Sequence, residues 1–357
     1  MSEAPEIHFQ KVGRAAKVIL DRPQALNALT LGMIRQLHPH LQVWAHDTSV
    51  SHVIIEAAGD RAFCAGGDIR ALYLWGKANN PIVTRFYLEE YQLNTAIKTY
   101  PKPYIAIMNG ITMGGGVGIS VHGSHRIATE KLAFAMPETG IGLFPDVGGT
   151  YFLPRCPGEI GLYLALTGGR IGAADALYAG IADCYVPSAE IPTLREALIH
   201  TTDVDDIINS FKQDLGTSEL ANTQSWIDEN FCHDSVEAIV ASLESERMDN
   251  SHFEWGRKTA QLIKSKSPLS QKIAFRQIRT GKTLEFEECM KLEYRLAVRF
   301  MAAHDFYEGT RAIVIDKDLQ PKWQHLTLKD VSDDLVDQYF ADLGTGELDL
   351  SNVFKTS

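Results

Sequence analysis

Short, strand-length apolar runs alternate with helical spacing over the first two hundred positions, and beyond them the strand-like runs nearly disappear. IHFQKV and AKVILD are the first two runs, followed by the turn-like DRPQALNAL. Thr30 suits the cap of a helix to about His46, where Ile34, Leu37, Leu41 and Trp44 recur at helical spacing. Pro39 inside that helix predicts a kink or an early break. HVIIEAAG reads as a buried strand entering a loop, GDRAFCAGGDIRAL. Residues 81–99 read as a helix with Phe86, Glu90, Leu93 and Ile97 on one stripe. Glu90 therefore lies on the apolar face, where it either pairs with a buried partner or faces a cavity.

The next stretch organises the rest. PYIAIM reads as a strand that enters NGITMGGGVG (109–118) and leaves as a helix. Consecutive glycines leave backbone N–H groups unobstructed, and at a helix start those groups have no internal partner. Such a bend can hold an anion or a developing oxyanion; equally, it is what two closely packed elements require. Gly66 and Gly67 form a second bend of this kind. Two strand candidates follow, HRIAT and LAFAM, and then MPETGIGLFPDVGGTYFLPR, which sets Glu138 and Asp146 among apolar and small residues. A plain connector would be more polar. The two carboxylates either cap turns or do chemistry. Residues 159–168 and 173–181 read as helices and DCYVP as a closing strand. From about residue 200 strands fade and charge-laced helical segments take over, among them SVEAIVASLESE, PLSQKIAFRQIRTG and LEFEECMKLEYRLAVRFMAA. From 311 onward little regular pattern is left, and no internal repeat or low-complexity tract stands out.

Composition narrows the function classes. The chain of 357 residues, 45% hydrophobic and 22% charged, suits one large domain and a smaller one. A net charge of −11 argues against nucleic acid or an anionic membrane as the main partner. The five cysteines are scattered and never in a CxxC pair, which suits free thiols in a reducing compartment. No HExxH spacing occurs, and no third ligand completes the His122, His125 pair, so no metal site is expected. The start, MSEAPEIHFQ, resembles no targeting segment. Residues 104–119 are too short and too glycine-rich for a membrane span. A soluble cytoplasmic protein is expected.

AFCAGGDI, PYIAIMNGITMGGGVGIS, FAMPETGIGLFPDVGGTYFLPR and TGGRIGAADALYAGIADCYV, in that order, resemble the crotonase (enoyl-CoA hydratase/isomerase) superfamily. They are most similar to its 3-hydroxyisobutyryl-CoA hydrolase branch, and HDFYEGTRAIVIDKDLQPKW resembles the ending of that branch more than that of the hydratases. The resemblance spans about residues 10–325. It implies an α/β fold, a crotonase-like spiral of ββα units over 1–200, with a C-terminal all-helical region over 201–325 covering the site and a tail over 326–357. It also implies a coenzyme A thioester as substrate, no cofactor, and assembly into trimers or hexamers as an option.

Carried onto this chain, the resemblance implies that the amides of Gly67 and Gly115 form an oxyanion hole, with Gly114 beside them. Ala65, Gly66, Asp68, Ile69 and Arg70 would run along coenzyme A. Glu90, Glu138 and Asp146 fall on positions the branch uses for substrate binding and catalysis. Apolar neighbours of Glu138 (Leu132, Phe134, Met136, Ile141 and Phe144) are expected to raise its pKa by desolvation. Hydratases carry a glutamate just after the glycine turn, where this chain has Gly118. The expected activity is hydrolysis of a short 3-hydroxyacyl-CoA, as in valine catabolism. An enoyl-CoA hydratase or isomerase is the alternative, and a non-catalytic scaffold or nucleic-acid-binding relative is a third reading that the acidic balance does not favour.

Overall fold

The computed structural model describes residues 5–245, 250–351 and 353–354. The first four residues of MSEAPEIHFQ, Glu246 at the end of SVEAIVASLESE and the last three tail residues lie outside that description. Among the described residues nine strands form two sheets: β1 (Ile7–Val12), β2 (Ala15–Leu20), β3 (His52–Ala57), β4 (Ala62–Cys64), β5 (Tyr104–Met108), β6 (Ile111–Met113), β7 (His125–Ala128), β8 (Ala133–Ala135) and β9 (Cys184–Tyr185). The larger sheet has the order β1-β2-β3-β5-β7-β9 and the smaller the order β4-β6-β8. From β3 to β8 each pass of the chain gives one strand to each sheet, and within each sheet those strands run parallel. That is a spiral of ββ units, with helices filling the returns.

The core-strand sequences suit this placement. β5 is buried at every position, as a strand covered on both faces must be. β4 and β6 are only three residues long and sit beside glycines, so they read as loop in the sequence. The strand that enters the glycine bend is therefore β6, with a turn at Asn109 and Gly110 separating it from PYIAIM.

The early helices are α1 (Leu31–His46), α2 (Ile69–Lys77), α3 (Ile82–Lys98), the single turn α4 (Gly115–Gly118), α5 (Gly149–Phe152), α6 (Ile160–Thr167) and α7 (Ala173–Tyr178). Thr30 caps α1 by accepting the Met33 N–H at 3.1 Å. Of the kink or early break expected at Pro39, the break does not occur: α1 runs through it. Burial of Leu31, Met33, Ile34, Leu37, Leu41 and Trp44 offsets a proline penalty of about 3 kcal/mol.

The helical part follows as α8 (Ile191–His200), α9 (Val204–Phe211), α10 (Glu219–Phe231), α11 (Val236–Leu243) and α12 (Asn250–Lys264). Then come α13 (Pro268–Gly281), α14 (Phe286–Ala302), α15 (His304–Thr310) and α16 (Asp333–Phe340). A capping box between Glu285 and Glu288 starts α14, which lies along α3. Beyond 311 the chain is more regular than its sequence suggests. Arg311–Ile315 forms a π-helical turn, and α16 packs on α14 and α13. The extreme end returns to the first helices: the Gln42 amide donates to the Val353 carbonyl at 2.9 Å, and Gln92 to that of Asp349 at 3.0 Å. Among the described residues no helix is long and apolar enough to cross a membrane.

Candidate active site

Two backbone bends meet at one cavity. The first follows β4, where Gly66 takes φ +122°, and the second follows β6, where Gly114 takes φ +45°; both values favour glycine. A methyl on Gly115 would lie 3.1 Å from the Gly67 nitrogen and 2.7 Å from Glu90 Oε1. Among the described residues, neither the Gly67 nor the Gly115 N–H donates a hydrogen bond. α4 is one turn long, so unpaired amides rather than a helix dipole give this bend its polarity.

The cavity is about 250 Å³ and is lined by Ala65, Gly66, Gly67, Ile69, Glu90, Gly114, Gly115, Glu138 and Asp146, all named from sequence. Asp68 and Arg70 are not part of its lining. Asp68 instead caps α2 by accepting the Ala71 N–H at 3.1 Å and pairs with Arg22 at 3.1 Å. Arg70 is exposed on the first turn of α2. Sequence reasoning missed other parts of the wall: Leu72 from α2, Tyr87 from α3, Met113 at the end of β6, Leu143 after the Glu138 turn, and Ile313 with Val314 from the π-helical turn.

Glu138 begins a 3-10 turn behind Pro137, closed by Gly142 at φ +70°. Its Oε1 lies against Gly114, where an added methyl would come within 3.3 Å, and its Oε2 has no hydrogen-bond partner. Burial, then the nearby Asp146, push its pKa well above the ordinary carboxylate value. The direction agrees with the expected desolvation. Among the five named neighbours, only Ile141 reaches the cavity, where Leu143, Leu72 and Phe86 join it. Glu90, also buried, is raised by burial, then Asp146, then Glu293. Its position on the apolar stripe of α3 reflects a cavity and not an ion pair.

Asp146 sits on a turn held from three sides. Val147, the next residue, takes φ +50°, a costly conformation for a β-branched side chain. The His122 ring donates to the Val147 carbonyl at 2.7 Å, and burial holds that ring neutral by pushing its pKa down to about 3. Glu293, fully buried on α14, accepts the Gly148 and Thr150 N–H groups at 2.8 Å each. Gln277 donates to the Pro145 carbonyl at 2.6 Å. Asp146 itself accepts the Tyr91 hydroxyl at 3.1 Å, which opposes the effect of burial, and its pKa is pushed up to about 7. Burial likewise pushes Glu293 up to about 8 against its two N–H bonds. No Lys, Arg or His lines the cavity among the described residues.

A raised carboxylate pKa means that the native state binds the proton more tightly than the unfolded chain. Stability is then full below the unfolded value near 4 and is lost as pH climbs through about 7. Asp146→Asn should therefore raise the unfolding free energy at pH 8 by roughly 2–4 kcal/mol and by little at pH 4. Urea unfolding at the two pH values checks this, and an equal effect at both would contradict it.

This arrangement can bind a carbonyl oxygen at the two amides, stabilise negative charge on it, and bring a basic carboxylate to the attached carbon. A family model described as enoyl-CoA hydratase/isomerase matches residues 15–340. A Danio rerio protein named 3-hydroxyisobutyryl-CoA hydrolase, mitochondrial, is 48% identical over 355 residues, 97% of this chain and 92% of that protein. The Homo sapiens protein of the same name is 43% identical, covering 97% and 91%. Among solved structures, a carnitinyl-CoA dehydratase from Mycobacterium thermoresistibile superposes with TM-score 0.92 at 39% identity, covering 98% of this chain and 99% of that one. An enoyl-CoA hydratase from Rhodobacter sphaeroides 2.4.1 gives 0.90 at 38%, covering 97% and 100%.

Proposed function

The chain belongs to the enoyl-CoA hydratase/isomerase family, and on that premise we propose that it hydrolyses 3-hydroxyisobutyryl-CoA to the free hydroxy acid and coenzyme A. Relatives at 43–48% identity over nearly the whole chain bear that name. The observation that carries the reading is the meeting of the Gly67 and Gly115 amides beside an unpaired Glu138 oxygen.

In this reading the thioester oxygen sits between the two amides, which stabilise the oxyanion as it forms. One such donor is worth about 3–4 kcal/mol of transition-state energy. Glu138 acts either as nucleophile, giving a mixed anhydride, or as the base that takes a proton from an attacking water. The C–S bond then breaks and the departing thiolate takes a proton from water or from protonated Glu138; on the nucleophilic route a water next opens the anhydride, releasing the hydroxy acid and freeing Glu138. Label from water found in Glu138 after one turnover would mark attack by the side chain. Asp146 places the water or holds the substrate hydroxyl, Glu90 supports the acyl group, and the helical region covers the pocket through Ile313 and Val314. No cofactor is assigned, coenzyme A being part of the substrate.

The dehydratase and hydratase names of the two solved structures favour a second reading, addition of water across a double bond. Gly118 weighs against it. A methyl there would already come within 2.7 Å of Asn94 Nδ2 and 2.8 Å of Val147 Cβ, so the position has no room for the carboxylate that hydratases carry. A thiol-trapping assay decides: thiol release from 3-hydroxyisobutyryl-CoA is expected, and loss of enoyl absorbance without thiol would sink the hydrolase reading. Five free cysteines suit a reducing compartment. The cytoplasm expected from sequence and the mitochondrial address in the relatives' names both meet that condition, and fractionation of the source cells separates them.

A further inference from the structure

One polar atom in the cavity wall has no place in the chemistry above. Tyr87 is 2% exposed, and its hydroxyl has no hydrogen-bond partner. Leaving such a group dry and unpaired is costly unless a ligand supplies the missing partner. Carboxylates surround it, since burial first and then Asp146 and Glu90 raise its pKa well above the ordinary phenol value, yet it bonds to neither. It therefore stays protonated and is a hydrogen-bond donor. Tyr91, one turn later on the same face of α3, differs in this respect, because its hydroxyl is spent on Asp146 at 3.1 Å.

Three residues after Tyr87, on the same face, Glu90 Oε1 is also buried and unpartnered, and it lies beside Gly115. Both residues line the cavity. An alcohol needs one acceptor for its proton and one donor for its lone pair. Phe86, Leu72, Ile141 and Leu143 make the rest of the wall apolar.

We propose that Tyr87 is the specificity-determining residue for the hydroxyl of the acyl chain, with its O–H donating to that hydroxyl while Glu90 Oε1 accepts the hydroxyl proton. This rests on the thioester lying between Gly67 and Gly115, since Glu90 Oε1 lies beside Gly115 and Tyr87 lines the same cavity, so that this pose directs the acyl chain toward α3. Asp146 is then left to place the water. An acyl group without the hydroxyl leaves two buried polar atoms unpaired, and sites built in this way reject such analogues strongly, by up to about 10⁴-fold.

The test compares binding of two non-hydrolysable carba-analogues of coenzyme A thioesters, 3-hydroxyisobutyryl and isobutyryl, to the full chain and to Tyr87→Phe. The full chain should prefer the hydroxylated analogue by at least about 100-fold. Tyr87→Phe should cut that preference tenfold or more, through weaker binding of the hydroxylated analogue together with unchanged or tighter binding of isobutyryl, which no longer leaves a buried hydroxyl unpaired. An unchanged preference, or equal weakening of both analogues, overturns the assignment. The readout is binding, so it stands apart from thiol release: a chain that discriminates but releases no thiol would overturn the hydrolase reading and not this one.

Discussion

Glu138→Gln should lower thiol release from 3-hydroxyisobutyryl-CoA by about 10²–10⁴-fold, while binding of the thioester changes only a few-fold. The amide can neither attack the carbonyl nor take a proton from water, yet it has almost the same shape. Neighbouring groups cannot take over at full efficiency. Asp146 is tied to Tyr91, and Glu90 lies beside Gly115, whereas Glu138 lies beside Gly114. Because Glu138 is raised by burial and by Asp146, only the fraction ionised is active, so the wild-type rate should climb with pH from the acid side through neutrality. A rate that was flat with pH from 5 to 8, or a variant within a few-fold of normal, would remove Glu138 from its role.

The second large effect is expected at the amides. Gly115→Ala should reduce kcat by about 10²–10³-fold. The new methyl would sit 3.1 Å from the Gly67 nitrogen and 2.7 Å from Glu90 Oε1, where the carbonyl oxygen has to enter. Glu90 must move or the hole closes. Gly172→Ala is the control, since a methyl there meets nothing within 4 Å and should leave the rate alone. Steady-state kinetics with thiol detection reads both variants, and comparable rates for the two would contradict the placement of the hole.

The parts of the site legible in the sequence are those with a local cause. Bare glycines at 66–67 and 114–116 announce free amides, Pro137 stiffens the backbone under Glu138, and Glu90 is out of place on an apolar stripe. What stayed hidden depends on packing between distant segments. Tyr87 and Tyr91 look like ordinary aromatic core residues until α3 meets the 145–150 loop. Glu293 gave the same signal as Glu90, a carboxylate among Met290, Leu296 and Ala297 on the buried face of α14, and could have been found by the same argument. His122 and Val147 meet only because the chain returns through β7 and β8. The ββ spiral left no sequence repeat, because its units share geometry and not side chains, and β4 and β6 are too short for periodicity to register. The helix at 333–340 did carry a cap, Ser332, and buried Val336 and Tyr339 at helical spacing, but its charged start disguised it.

The most direct measurement is the carbonyl stretch of 3-hydroxyisobutyryl-CoA bound to Glu138→Gln, read by infrared or Raman difference spectroscopy. Two amides polarising the thioester C=O should move that band to lower frequency than in water, and Gly115→Ala added to the same protein should return it. A band at its solution frequency in the bound complex would mean that the amides of Gly67 and Gly115 do not hold the oxygen.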